Sequence, residues 1–270
     1  MSTSPQAPPL FARLVDDAAM FPPGNASAYD AISAHLRHRA SDIDSYVGPL
    51  LVHHSRWDDV VAAHADLGSP PLHVVMIGAH RLPGTAPPPL RVVGFEQLVD
   101  HLPLPTAEDD LPLACEVSAD DAGLEVLAEV AEAAAAGVAV VGKLRTGGTD
   151  AASFPNEATV AAVVTAAVRL GAPMKFTAGL HHAVRFTAAD TGFEHHGFLN
   201  LLVAVEAALA GVPDAGVVEV LASRDGATLA KTVRGWYDEQ VSGVRRTFVS
   251  FGCCGVEEPI RDLVALSLTT

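Results

Sequence analysis

Positive charge is scarce in this sequence, and so are aromatic side chains. Lys and Arg total 17 against 32 Asp and Glu, which gives a formal net charge of −15, and aromatic residues make up only 6% of the chain. Because binding to nucleic-acid phosphates relies on clustered Lys and Arg, the composition argues against duplex nucleic acid as a partner. An acidic excess of this size is typical of a surface that favours solubility.

Cysteines, targeting segments and long apolar runs are also few or lacking. Three cysteines, two of them adjacent, cannot build a disulfide framework, which favours a reducing compartment. Residues 1–10 lack the basic and apolar stretches of a signal peptide, and no run approaches the ~18 apolar residues of a membrane span. We therefore expect a cytoplasmic protein without a membrane partner, with residues 1–10 as a disordered lead.

Short apolar runs alternate with alanine-rich stretches through the rest of the chain. The runs predict strands at 46–53, 73–78, 91–96, 113–117, 138–143, 174–177, 217–221 and 247–251. The alanine-rich stretches predict helices at 58–67, 122–136, 157–170, 199–210 and 228–239, and a further helix is expected at 27–38 with Ser27 as its N-cap.

Eight apolar strands separated by helices are typical of a closed parallel barrel. The sequence therefore predicts an α/β fold, a (β/α)8 TIM-like barrel, as a single domain over residues 1–270. Residues 14–25, which contain two prolines and a glycine, are expected to form an ordered loop. The proline-rich residues 79–90 cannot hold a normal helix, so an open doubly wound parallel sheet remains the alternative.

Two of the three lysines, Lys143 and Lys175, lie in apolar strand runs near the predicted C-terminal ends, where parallel barrels carry their active sites. Burial lowers the pKa of a lysine, and a neutral amine is a nucleophile towards carbonyl groups. A second cation nearby lowers that pKa further. The alternative is a structural lysine that is paired with a carboxylate such as Glu116.

Other strand ends and loops carry further candidates. The glycines of the segment Arg145-Thr146-Gly147-Gly148 can bind an anion through backbone N–H groups, or simply form a turn. Three adjacent histidine pairs can supply acid–base groups or zinc ligands. Cys253 and Cys254 follow the last strand and precede a helix, so they are either reactive thiols or small buried apolar residues. The pairs are His53 with His54, His181 with His182, and His195 with His196.

The stretch 113–182 resembles class I aldolases of the deoxyribose-phosphate aldolase type. In that family a strand ending in glutamate precedes a Lys-x-x-Thr-Gly loop whose lysine forms a Schiff base, and a second lysine on the next strand tunes the first. Here Glu116, Lys143 and Lys175 match these parts, and Gly179-Leu180-His181 follows the second lysine. No aspartate matches the family's proton-relay position, for which Glu96 is the candidate.

Further similarities extend this resemblance. The loop Phe251-Gly252-Cys253-Cys254-Gly255 is similar to the family's phosphate-binding loop, with cysteines at the hydroxyl positions. The segments AAMFPP, KLRTGG, AGLHH, HHGFLN and FGCCG together also look like an uncharacterised family of bacterial and plant proteins. That second similarity implies a common function without identifying it.

The resemblance implies a Schiff-base lyase that acts on a small polar, anionic carbonyl compound without a metal or other cofactor. The expected catalytic residues are Lys143, Lys175, Glu116, His181 and His182. The expected substrate-binding residues are Arg145, Gly147, Gly148, Arg185, His196, Asn200, Cys253 and Cys254. A metal-dependent hydrolase or isomerase that uses the paired histidines is the second hypothesis, and a non-catalytic ligand-binding barrel is the third. A homo-oligomer stays open.

Overall fold

The computed structural model describes residues 6–100 and 102–269, which form a closed barrel of eight parallel strands. The barrel strands are β1 (Val15–Asp17), β2 (Val47–His53), β3 (Leu72–Ile77), β4 (Leu90–Leu98), β5 (Leu113–Val117), β6 (Val140–Arg145), β7 (Met174–Thr177) and β10 (Phe248–Cys253). Two short strands, β8 (Phe186–Thr187) and β9 (Glu194–His195), form a separate hairpin.

Closure of the barrel depends on β1, which pairs in parallel with both β10 and β2. Around the barrel the order is β1-β10-β7-β6-β5-β4-β3-β2. The fold is therefore the predicted (β/α)8-type barrel, and the alternative of an open sheet is wrong.

The helices are α1 (Ala28–Arg39), α2 (Trp57–Asp66), α3 (Asp121–Ala135), α4 (Glu157–Leu170), α5 (Phe198–Leu209), α6 (Asp214–Ala222), α7 (Gly226–Arg234), α8 (Asp238–Thr247) and α9 (Glu257–Ala265). Ser27 caps α1 as predicted, since its side chain accepts the Asp30 N–H. Asn156 caps α4 in the same way. Residues 78–89 contain no helix, in agreement with their prolines. Each helix of the described residues is too short or too polar to cross a bilayer.

Two predicted elements are wrong: one predicted strand is part of a helix, and one predicted loop contains a barrel strand. The predicted strand at 217–221 is part of α6, where Val217 and Leu221 lie four residues apart and are buried. The eighth strand is instead β1, within the predicted loop 14–25. The predicted helix 228–239 is also divided into α7 and α8.

β1 is difficult to predict from the sequence because two of its three residues are aspartates, although the strand is buried. Neighbouring strand residues point to opposite faces. Asp16 therefore points into the barrel, where Lys175 and Ser250 donate to its carboxylate. Asp17 points outward to α1, where His35 Nδ1 lies 3.0 Å from its carboxylate.

The N-terminal lead is partly described. Residues 1–5 of the predicted disordered lead lie outside the described residues. Further along, the Ala7 N–H donates to Ser45 Oγ, and Leu10 is buried in the core beside Phe11 and Leu14. Residues 7–10 therefore pack against the barrel.

Small and charged residues take several positions in the barrel interior, beside branched residues such as Leu51, Val75, Ile77 and Val141. Most parallel barrels fill their interior with layers of Val, Ile and Leu. Here Gly48, Gly94, Ala114 and Ser250 line one interior cavity, and Gly252 lines another. The small side chains leave room at both ends of the barrel, while the apolar core lies between the strands and the helices.

Candidate active site

Lys143 and Lys175 lie side by side inside the barrel and share one carboxylate. They are register partners on β6 and β7. Glu96 of β4 contacts both: its Oε2 lies 2.7 Å from Lys143 Nζ, and its Oε1 contacts Lys175 Nζ. All three side chains are buried, so Glu96 bridges two lysine side chains that have little exposure to solvent.

Each lysine has a second carboxylate partner. Glu116 Oε2 lies 2.8 Å from Lys143 Nζ, and Arg145 Nε donates to Glu116 Oε1 over 3.0 Å. On the other side, Asp16 Oδ2 lies 2.5 Å from Lys175 Nζ. We call these residues the ionic cluster: Asp16, Glu96, Glu116, Lys143, Arg145 and Lys175. Its three carboxylates and three cations balance when all six groups are charged.

The pKa values in the cluster follow from this pairing. Burial alone would lower the pKa of Lys175, but the carboxylates of Asp16 and Glu96 outweigh it and raise that pKa above its ordinary value. Burial disfavours the Glu96 carboxylate, yet the two lysines lower its pKa to about 2. For Asp16 burial dominates, and its pKa is raised.

These contacts correct the expected interplay of the lysines. The sequence predicts that burial lowers the pKa of Lys175 and that its charge keeps Lys143 neutral. The first part is wrong, because two carboxylates face Lys175. Glu96 also lies between the two lysine nitrogens, so Lys175 and Lys143 do not face each other alone.

A cavity of about 880 Å³ opens at the C-terminal ends of the strands, and we call it the upper cavity. Lys143 lines its inner end, two residues before β6 ends at Arg145. Other wall residues are Arg145, Gly148, His181, His182, His195 and Cys254. A ligand in this cavity therefore reaches Lys143, the predicted nucleophile.

Two loops at the cavity mouth are held together by Thr146. Its hydroxyl donates to Ala178 O over 2.7 Å, and its N–H donates to Thr177 O over 2.8 Å. A Cβ on Gly147 would lie 3.0 Å from the Gly179 backbone, so this glycine allows a close approach between the loops. Ala178 has a φ of 64°, a left-handed conformation that favours glycine.

His181 lies among sulphur and carboxylate groups at the same mouth. Its Nδ1 is 2.8 Å from Glu258 Oε2 and 3.8 Å from Cys253 Sγ, and its Nε2 is 3.7 Å from Cys254 Sγ. Hydrogen bonds with the two cysteines raise the pKa of His181 to about 11. Burial raises the pKa of the Cys253 thiol. The neighbouring His182 faces Asp262 through Nδ1, at 3.1 Å.

Five of the expected substrate-binding residues lie outside the wall of the upper cavity, namely Gly147, Arg185, His196, Asn200 and Cys253. Arg185 is buried and ion-paired with Glu157 at 2.7 Å. Asn200 donates to two backbone carbonyls and accepts the Arg185 N–H, while His196 Nε2 lies 2.8 Å from Pro155 O. These side chains connect the hairpin, α4 and α5, and so shape the cavity wall from behind.

A second cavity of about 750 Å³, the lower cavity, opens at the N-terminal ends of the strands. Asp16, Glu96, Lys175 and Ser250 line it. The ionic cluster therefore lies between the two cavities, with Lys143 on the upper side and Lys175 on the lower side.

Sequence reasoning missed Asp16 and Ser250 as members of the site and gave Glu96 only as a candidate. The single available signal for Asp16 was a pair of aspartates beside an apolar residue, Val15. Ser250 carries no signal of its own, because a serine in a strand is common on any surface.

The comparisons with known proteins give no family. Neither a protein-family model nor a curated protein matches the chain. The likeness to class I aldolases therefore rests on the barrel and on the residues already described.

Proposed function

We propose that this protein is a Schiff-base lyase of the class I aldolase type, acting on a small polar carbonyl compound, with Lys143 as the nucleophile. The observation that carries the proposal is the position of Lys143 Nζ. It lines the inner end of the upper cavity and has two carboxylate oxygens within 2.8 Å. An amine placed in this way can meet a carbonyl carbon and pass its protons to a neighbour.

The charge balance of the ionic cluster supports an imine rather than a free neutral amine. Condensation of an alkylammonium with a carbonyl compound releases water and gives a protonated imine, so the positive charge stays on Nζ. Glu96 and Glu116 therefore face a cationic partner both before the condensation and in the protonated imine. Fixed charges that match the charge of an intermediate stabilise it without reorganisation.

Attack by Lys143 requires the transient loss of one proton. Glu116 is the better acceptor, because Glu96 is held by two lysines and its pKa is lowered to about 2. Lys143 and Arg145 also lower the pKa of Glu116, against the effect of burial. Glu116 is nevertheless the more exposed carboxylate, at 17% against 1% for Glu96. The same proton then leaves with the departing water.

Carbon–carbon cleavage from the imine needs a base for the hydroxyl of the leaving fragment. His182 lines the upper cavity, and its Nδ1 faces Asp262, which leaves Nε2 for the substrate. Loss of the hydroxyl proton forms the new carbonyl, the bond breaks, and its electron pair moves to the imine as an enamine. The half-exposed guanidinium of Arg145 would hold an anionic group of the substrate.

Borohydride trapping tests the imine directly. The protein is incubated at neutral pH with a panel of small hydroxyaldehydes, ketoacids and sugar phosphates, reduced, digested and mapped by mass spectrometry. We expect one reduced adduct, on Lys143. The absence of an adduct with every compound in the panel, or an adduct spread evenly over the lysines, would overturn the proposal.

Two variants make this experiment specific. Lys143→Arg keeps the cation between Glu96 and Glu116 but removes the nucleophile, so the adduct should disappear while the fold is kept. Lys231→Arg changes the exposed lysine of α7 and should leave the adduct yield unchanged. An adduct that survives Lys143→Arg would exclude Lys143 as the nucleophile.

A further inference from the structure

Three side chains of different chemistry converge beside His181 at the mouth of the upper cavity. His181, Cys253 and Glu258 each offer one ligand atom, and these atoms all lie within 4.8 Å of one another. Cys253 is buried, while His181 and Glu258 are half-buried and line the cavity. The proposed imine chemistry uses none of these three groups.

The fold brings the three residues together from distant parts of the chain. Cys253 is the last residue of β10, and His181 follows the neighbouring strand β7 by four residues. Glu258 lies in the first turn of α9, directly after the loop that leaves β10. Adjacent parallel strands end at the same edge, so the convergence is a consequence of the barrel topology.

The spacing of the donor atoms suits a small metal ion. Zinc bonds of about 2.0 Å to nitrogen or oxygen and 2.3 Å to sulphur place tetrahedral ligand atoms about 3.3 to 3.6 Å apart. His181 Nδ1 lies 3.8 Å from Cys253 Sγ and 2.8 Å from Glu258 Oε2. These two separations differ from the zinc values by about half an ångström or less, and all three donor atoms lie within 4.8 Å of one another, so side-chain rotation would bring them onto one ion.

We propose that His181 Nδ1, Cys253 Sγ and the Glu258 carboxylate form a binding site for a zinc-type divalent metal ion. Nitrogen, thiolate and carboxylate are the donors that zinc takes, and three protein ligands leave one position open. That position faces the upper cavity, which His181 and Glu258 line. The ion would bind and polarise an oxygen atom of a ligand that occupies the cavity.

Two neighbours support this ligand set. The second ring nitrogen of His181, Nε2, lies 3.7 Å from Cys254 Sγ, so Cys254 can orient the imidazole from outside the ligand set, as partners of metal-bound histidines do. His182 turns its Nδ1 to Asp262 instead. The site therefore differs from the metal centre of paired histidines that the sequence suggests, since it takes one histidine of a pair.

Metal binding can be measured without knowing the reaction. The purified chain is stripped with a chelator and titrated with cobalt(II), followed by competition with zinc. We expect one cobalt per chain, with the visible bands of a four-coordinate ion and a near-ultraviolet thiolate-to-cobalt band. No saturable cobalt binding, or binding without the thiolate band, contradicts the proposal.

Variants assign the ligands. Cys253→Ser should abolish the thiolate band, and Glu258→Gln and His181→Asn should each weaken zinc binding at least tenfold. Cys254→Ser and Cys115→Ser are the matched controls and should keep the band. A band that is lost in Cys254→Ser and kept in Cys253→Ser overturns the assignment. Thermal unfolding of each apo variant verifies that it is folded.

The metal-site proposal and the imine proposal can be tested independently of each other. Lys143→Arg should bind cobalt like the unchanged chain, whereas Cys253→Ser should still give a borohydride adduct on Lys143 if the proposed lyase chemistry holds. Cobalt binding that depends on Lys143 would contradict a metal site formed by His181, Cys253 and Glu258.

Discussion

At the scale of single residues, Glu96 matters most for the interior of the barrel. A buried charge is costly unless it is paired, and removal of one partner of a buried pair leaves the other uncompensated. Glu96 is the partner of both lysines, which lie buried on neighbouring strands. It allows two ammonium groups to lie next to each other, and this arrangement gives Lys143 its place at the cavity.

Glu96→Gln should therefore destabilise the fold. The substitution keeps the shape of the side chain but leaves three cations facing two carboxylates in the ionic cluster. We expect the free energy of unfolding at pH 7 to fall by about 3 to 5 kcal/mol, as for other broken buried pairs. Urea unfolding measures this, and Glu125→Gln on the exposed face of α3 is the control, with a change below about 0.5 kcal/mol.

The pH dependence of the same variant gives the sign of the Glu96 contribution. Its pKa is about 2 in the fold and 4.5 when unperturbed. A carboxylate with a lowered pKa contributes stability above its unfolded pKa and loses it as the pH falls towards the folded value. The stability difference between the unchanged chain and Glu96→Gln should thus shrink between pH 4.5 and pH 2. A constant difference over that range would contradict the pairing.

At the scale of elements, the loops after β6 and β7 act as one unit at the cavity mouth. Thr146 is fully buried and donates to a carbonyl of the next loop, and Gly147 allows the close approach of their backbones. Loops of this kind usually move more than the strands that carry them. Their direct connection ties the loop that follows Arg145 to the loop that contains His181.

Thr146→Val should weaken that connection. Valine has the shape of threonine but no hydroxyl, so Ala178 O loses its donor in a buried place. We expect a loss of about 1 to 2 kcal/mol in the free energy of unfolding, measured by urea or thermal unfolding. Thr232→Val on α7, where the exposed hydroxyl donates to Thr228 O, should cost less than about 0.5 kcal/mol. Equal losses for the two variants would be the contrary result.

At the scale of the whole molecule, the barrel interior contains two cavities with a layer of charged residues between them. Lys143 of the ionic cluster borders the upper cavity and Lys175 borders the lower one, so a ligand can approach Lys143 from the upper end. Next to the ionic cluster, Gly48 of β2 leaves no room for a larger side chain. A Cβ built there would lie 2.0 Å from Asp16 Oδ1.

Gly48→Ala should therefore displace Asp16 from Lys175 and destabilise the barrel by about 3 kcal/mol, from overpacking and a weakened buried ion pair. Gly84→Ala is the matched control, because the nearest atom to its added Cβ lies 3.9 Å away. It should change the unfolding free energy by less than about 1 kcal/mol. Chemical unfolding of both variants checks this, and a harmless Gly48→Ala would mean that Asp16 has room to move.

Local sequence patterns were enough for most of the fold. Apolar runs and alanine-rich stretches located seven of the eight barrel strands within a few residues, and the cap of α1 followed from Ser27. Val217 and Leu221 led to the wrong prediction of a strand, because apolar residues four apart also suit one face of a buried helix. Residues 15–17 were missed because two aspartates break the apolar pattern of a strand.

For the site, the sequence by itself determined that two rare lysines lie near the ends of adjacent strands. Only the tertiary structure decided what surrounds them. Asp16 reaches Lys175 across 159 positions in the chain, since closure of the barrel places β1 beside β10 and next but one to β7. Periodicity is a local property, whereas the pairing of buried charges depends on which strands meet. The sequence thus selected Lys143 and Lys175 as candidates, and barrel closure decided which carboxylates face them.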